Sequence, residues 1–213
     1  MNNIKNIVFD LGGVIFNFDF AAANAVFSRL GVSFGGDNPH RGEVLALLND
    51  YINGFVDEAE FTQRLLPYCA EGVTATNVIA ELQTFAGDIP QSRLAALVAL
   101  RKHYKVFLLS NINDSMWRWA VRIMNNHGYK PEDCFDATFL SYELQLAKPN
   151  AAIYQQMIAQ ADITPAETLY FDDLPENIEA GLTEGLCAQL VKQNALEECE
   201  AFRALMQKIN IAD

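Results

Sequence analysis

Asp10, the pair Ser110-Asn111 and the pair Asp172-Asp173 each close a run of apolar residues, at 4–9, 104–109 and 168–171. Continuous rather than alternating apolar character marks strands of a parallel sheet covered on both faces. In an open parallel sheet the carboxyl ends of the strands line one crevice. Residues more than sixty positions apart in the chain therefore meet there. Three carboxylates in one crevice repel one another unless a cation joins them, and a hard divalent ion with oxygen ligands, Mg2+ above all, meets that need. Lys148, just before Pro149, offers a second positive point. Gly12-Gly13 lacks the full GxGxxG run of a dinucleotide fold, and no Walker A sequence is present.

The elements that must position these residues follow from hydrophobic patterning. A further apolar run lies at 186–191 and a weaker, more polar one at 135–140. Helical spacing is evident over 90–102, 114–126, 150–161, 175–184 and 195–209. Strand alternating with helix predicts an α/β fold, a doubly wound parallel five-stranded sheet of Rossmann-like type. Residues 18–87 break the rhythm: they hold no convincing strand, only helical segments at 20–30, 41–52, 57–69 and 74–86. Asp57 with Glu60 reads as a capping box. Seventy residues exceed any ordinary crossover. The expected organisation is thus a core of residues 1–17 and 88–213 with an inserted helical cap of residues 18–87. His40, Arg41 and Asp50 are the polar cap residues with reach toward a ligand, though each reads more simply as a loop or surface residue. Trp117 and Trp119 cannot share one helix face, so one of them is expected at solvent or an interface.

Composition narrows the function classes. The chain has 213 residues, 51% apolar and 20% charged, which is the profile of a globular protein with a substantial core. Fifteen basic residues against 27 acidic ones leave a net charge of −12. A field of that sign disfavours nucleic acid and anionic membrane surfaces as partners. A small phosphorylated metabolite remains admissible when a bound cation supplies local positive charge. Cys69, Cys134, Cys187 and Cys199 are widely spaced with no CxxC pair, so free core thiols are expected. No run reaches the ~18 apolar residues of a membrane helix, and no secretory leader is expected. The expectation is a soluble cytoplasmic protein, as monomer or homodimer.

The ordered motifs Phe9-Asp10-Leu11-Gly12-Gly13-Val14-Ile15, Leu109-Ser110-Asn111, Lys148-Pro149 and Phe171-Asp172-Asp173-Leu174-Pro175-Glu176-Asn177 resemble the haloacid dehalogenase-like hydrolase superfamily across essentially the whole chain. The position of the insert resembles the helical cap of its phosphatase-like subgroup. The resemblance implies the strand order 5-4-1-2-3 and magnesium-dependent hydrolysis of a small phosphomonoester, such as a sugar phosphate, through an aspartyl phosphate. It implies Asp10 as nucleophile, and Mg2+ held by Asp10, the backbone carbonyl of Gly12 and Asp173, with Asp172 orienting a metal-bound water from outside. Ser110, Asn111, Lys148 and the N–H of Leu11 would hold the substrate phosphate. Where most phosphatases of the family carry an acid–base aspartate, this chain has Gly12. That departure admits a slow or non-catalytic phosphate binder as the alternative, and a 2-haloacid dehalogenase as a more distant one.

Overall fold

The computed structural model describes residues 3–36, 38–82, 84 and 87–212. Among these, the strands in chain order are β1 (Asn6–Phe9), β2 (Asn17–Phe18), β3 (Gly87–Asp88), β4 (Lys105–Ser110), β5 (Ala137–Leu140), β6 (Thr168–Asp172) and β7 (Cys187–Leu190). Five of them form a parallel sheet in the order β5-β4-β1-β6-β7, the expected topology. β1 is central: Phe9 pairs with Leu108 of β4 and with Phe171 of β6.

The apolar strand runs reflect burial on both faces. On one face Ile7, Phe9, Val106, Leu108, Leu169 and Phe171 pack in one cluster with Leu94, Leu97 and Leu100. Phe202, Leu205 and Ile209 complete that layer. The alternate residues Val8, Phe107, Leu109 and Tyr170 pack on the other face with Ile153, Tyr154 and Met157. Two faces with period-2 assignment and helices on each give the doubly wound arrangement.

The cap is built from α1 (Phe20–Arg29), α2 (Arg41–Ile52), α3 (Glu58–Leu65) and α4 (Ala75–Leu82). It has its own apolar cluster, including Phe27, Leu30, Val44, Leu47, Phe61, Leu65 and Val78. Asp57 caps α3 by accepting from the N–H of Glu60 at 2.8 Å. The expected capping box is realised only in this half, because the Glu60 carboxylate turns to Arg64, 3.1 Å away. The core helices are α5 (Gln91–Arg101), α6 (Asp114–Asn126), α7 (Pro131–Cys134), α8 (Ser141–Leu144), α9 (Ala151–Ala161), α10 (Pro175–Thr183) and α11 (Glu200–Ala212).

At the root of the cap the structure departs from the sequence reading. Asn17 and Phe18 pair antiparallel with Asp88 and Gly87, a two-stranded ribbon joining the two chain crossings. Strands of two residues carry no periodic signal, and part of this ribbon lies inside the segment read as purely helical. Higher up, the hydroxyl of Ser115 in α6 donates to the carboxylate of Glu58 in α3 at 2.9 Å, a direct contact between core and cap. Trp117 and Trp119 are both half-buried against the core, neither of them left to solvent. Trp119 meets the edge of Phe16 with ring centroids 5.0 Å apart, so each tryptophan finds apolar partners on its own side of α6. All four cysteines are free thiols, but only Cys134 is buried; Cys69, Cys187 and Cys199 are half-buried. No helix among the described residues is long and apolar enough to cross a membrane.

Candidate active site

Asp10 leaves the sheet directly after β1, its N–H still donating to the carbonyl of Phe171 at 2.9 Å. The chain then turns tightly: Phe16 N–H donates to Leu11 O at 2.7 Å, and Gly13 N–H to Phe16 O at 2.8 Å. Gly13 has φ of +75°, and a Cβ there would overlap the Asp173 carboxylate. Glycine is therefore required for both backbone and space, and its absent side chain is what lets Asp173 approach the Asp10 turn. The Cβ position of Gly12 faces open space instead.

Lys148 occupies the centre. Its ammonium lies 2.9 Å from Asp10 Oδ1 and 2.7 Å from Asp172 Oδ2, and all three residues are buried. The lysine is placed from its backbone. Asn111 Nδ2 donates to Lys148 O at 2.9 Å, and Lys148 N–H donates to Asn111 Oδ1 at 2.8 Å. A side-chain amide just past β4 that takes both backbone groups of Lys148 fixes where the lysine starts.

Asp172 is fully committed. Its Oδ2 accepts from Lys148 and from the Tyr170 hydroxyl. Its Oδ1 accepts from Leu174 N–H and from Asn177 Nδ2, each at 2.9 Å. Asp173 is far less satisfied, with a single side-chain donor, Gln193 Nε2, at 3.4 Å. Ser110 ends β4 two residues beyond the Phe9 partner Leu108 and is buried; Leu11 is buried beside Asp10 in the chain.

The electrostatics follow from one cation facing three carboxylates. Burial pushes the Asp10 carboxyl up to about 7 despite Lys148, with Asp172 and Asp173 adding to the rise. Burial, followed by the charge of Asp172, pushes Asp173 up to about 6. Burial also opposes ionisation of Asp172, but Lys148 and its other donors outweigh it and hold the group below the usual carboxylate range. For Lys148 burial is likewise outweighed, by Asp10 and Asp172, and its pKa is raised. Asp10, Asp172 and Asp173 present oxygens all within 4.8 Å of one another. A hard-oxygen donor set with excess negative charge fits a small divalent cation. Because every lone-pair direction of Asp172 already meets a donor, Asp10 and Asp173 are the carboxylates with ligation to spare.

The structure thus gathers Asp10, Lys148, Asp172 and Asp173 into direct or near contact and sets Ser110 and Asn111 at the adjoining strand end. Asn111, expected to offer its N–H to phosphate, has a second task in holding Lys148. The cap residues are engaged within the cap: Arg41 Nε donates to Phe34 O at 2.8 Å, and His40 packs against Tyr68. The carbonyl of Asp50 accepts from Phe55 N–H at 2.8 Å. Sequence reasoning missed Tyr170, which reads as an ordinary member of an apolar strand. It also missed Gln193-Asn194, which follow the last strand without any motif.

Comparison with known proteins places nearly the whole chain among relatives. A family model described as haloacid dehalogenase-like hydrolase matches residues 4–185. The D-ribitol-5-phosphate phosphatase of Bacteroides thetaiotaomicron is 32% identical over 179 residues, spanning 84% of this chain and 87% of its own. A solved magnesium complex of a HAD-family enzyme from the same organism is 30% identical, with a TM-score of 0.82 over 94% of this chain and 99% of that one. Its complex with magnesium and inorganic phosphate is 31% identical, with a TM-score of 0.78 over 89% and 95%.

Proposed function

The chain belongs to the haloacid dehalogenase-like hydrolases and hydrolyses phosphomonoesters with magnesium through an aspartyl phosphate, and on that premise we propose how its own residues divide the work. Asp10 is the nucleophile: a carboxylate oxygen bonds to phosphorus as the ester oxygen departs, and water then cleaves the acyl phosphate and restores the carboxylate. Lys148 aims Asp10, favours its ionised form against burial, and offsets charge on the transferring phosphoryl group. Ser110, with the N–H groups of Leu11 and Asn111, holds the phosphoryl oxygens.

Asp10, Asp173 and the backbone carbonyl of Gly12 would hold the Mg2+. Asp172, whose own oxygens are saturated by protein donors, orients the surroundings from outside the ligand set. When bound, the ion supplies positive charge to the phosphoryl oxygens. The supporting observation is the Lys148 ammonium shared between Asp10 and Asp172 at 2.9 and 2.7 Å, with Asp173 beside them carrying little compensation.

The substrate class is a small phosphorylated polyol or sugar, the reading favoured by likeness to the ribitol-phosphate enzyme. Residues 18–87 act as the cap over a core of residues 1–17 and 88–213, and the separate apolar cluster of the cap supports that division. Gly12 has no side chain with which to protonate a leaving alkoxide. Turnover of poor leaving groups is therefore slower than of aryl or acyl phosphates. Phosphate release from p-nitrophenyl phosphate and ribitol 5-phosphate, with Mg2+ and with chelator, tests the assignment. Asp10→Asn should abolish both, and a metal-dependent rate surviving in that variant would refute the nucleophile.

A further inference from the structure

Outside the reacting groups, the densest polar junction among the described residues lies at the root of the cap. Arg93, in the first turn of α5, is almost fully buried, with 3% of its surface exposed. Its guanidinium grips Glu197 through Nε at 2.7 Å and Nη2 at 2.9 Å. It also donates to Val14 O at 2.8 Å, Asn17 Oδ1 at 2.8 Å and Asn194 O at 2.8 Å. A bidentate pair of this kind is rigid, so the backbone of Asn194 is held from below.

Asn194 then joins two functional segments. Its backbone, at φ of +61°, donates its N–H to Gly13 O at 2.6 Å. Its side chain takes both backbone groups of Phe18: Phe18 N–H donates to Oδ1 at 2.9 Å, and Nδ2 donates to Phe18 O at 3.0 Å. Gly13 belongs to the Asp10 turn, whereas Phe18 ends β2, one residue before Asp19, which caps the first cap helix. The preceding residue, Gln193, reaches Asp173. Asparagine suits the position because it tolerates the left-handed backbone and carries donor and acceptor on one amide.

We propose that Asn194 is a positioning residue that registers the first cap linker against the Gly13 carbonyl, so that the approach of the cap and the shape of the catalytic turn are set together. A swing of the linker must break the amide clasp or pull on the turn, and with the clasp in place the cap closes over substrate from one fixed root. This goes beyond the phosphatase reading and uses it only for the kinetic half of its test.

Asn194→Gly isolates the clasp, because glycine keeps the left-handed backbone and its two main-chain bonds while losing the amide. At a temperature well below unfolding, chymotryptic nicking after Phe18 should accelerate about tenfold, since cleavage follows the population of the opened linker. The kcat/KM for ribitol 5-phosphate should fall about tenfold, chiefly through KM, while acetyl phosphate, with almost nothing for a cap to cover, stays within about twofold. Asn194→Asp, which keeps the acceptor for Phe18 N–H, should lie between glycine and wild type in both readouts. Unchanged nicking would overturn the proposal, as would equal losses on the two substrates or an aspartate variant no better than glycine. A wild type inactive on both substrates would count against the phosphatase reading alone, and the nicking would still decide the role of Asn194.

Discussion

Lys148 and Asp172 form a buried ion pair 2.7 Å long, and of the two carboxylates that meet the Lys148 ammonium, Asp172 is the one with no part in ligating a cation on the present assignment. The pair is therefore a fixed support from which the ammonium reaches Asp10. Lys148→Met leaves two buried carboxylates without their cation. Breaking a buried pair in this way costs about 3–5 kcal/mol. Urea unfolding at neutral pH in chelator should show a loss of that order. The double variant Lys148→Met/Asp172→Asn should recover a good part of the stability and none of the activity, because Asp10 still lacks its partner. Full additivity of the two single losses would contradict the coupling.

The raised carboxyls predict an inverted pH response of the metal-free protein. Asp10, at about 7, and Asp173, at about 6, both lie above the ordinary value of 3.8. Between pH 5 and 7 the folded chain retains protons that the unfolded chain has released. Unfolding free energy must then fall as pH rises through this window. Asp172, Asp136 and Glu197 are lowered, so their contributions are lost only at more acid pH. Thermal scans in chelator should show Tm falling from pH 5 to pH 7. Excess Mg2+ should flatten or reverse the slope, since the ion takes the place of those protons, and its apparent affinity should tighten over the same range. A Tm that rose with pH in chelator would refute the assignment.

Much of this centre is legible in the chain because the apolar runs of β1, β4 and β6 turn abruptly polar at their carboxyl ends. Asp10, Ser110 and Asp172 sit at those breaks, and parallel topology does the rest. Lys148 is legible only through its motif, since its position depends on Asn111, 37 residues away. The Arg93 junction is hidden for a related reason. An arginine beside the apolar stripe of α5 looks like a surface residue, and its burial depends on carbonyls 76 to 101 positions distant. Tyr170 is hidden because its ring satisfies the apolar pattern while its hydroxyl serves Asp172. Local periodicity reports which way a residue faces, not which polar group waits there.

Gly13 offers a test of the geometry that needs no substrate. Gly13→Ala meets two obstacles, a φ of +75° and the Asp173 carboxylate. Gly72, at φ of +84° with nothing within 4 Å of its Cβ position, meets only the first. Both alanine variants should lose about 1–2 kcal/mol from backbone strain. Only Gly13→Ala should also weaken Mg2+ binding, by about 10–100-fold, because it displaces a ligand. Calorimetric titration of Mg2+ into the two variants separates these contributions. Equal metal affinity in both would remove Asp173 from the site.

Gly12 gives the complementary test, in which function is added. Its Cβ position meets no atom within 4 Å, and its backbone lies outside the left-handed region, so a side chain can start there without a Cβ clash or backbone strain. General acid–base help is worth about 10²–10⁴ where the leaving group needs a proton, and little where it does not. In Gly12→Asp the rate on an alkyl phosphate should rise by at least about tenfold, with p-nitrophenyl phosphate changing by no more than about threefold. The slope of log rate against leaving-group pKa should flatten accordingly. A new carboxylate also adds negative charge beside Asp10 and Asp173, so the gain should appear only at saturating Mg2+. A uniform change across leaving groups would mean that another group in this crevice already transfers the proton, and that the missing side chain at position 12 does not limit the wild-type enzyme.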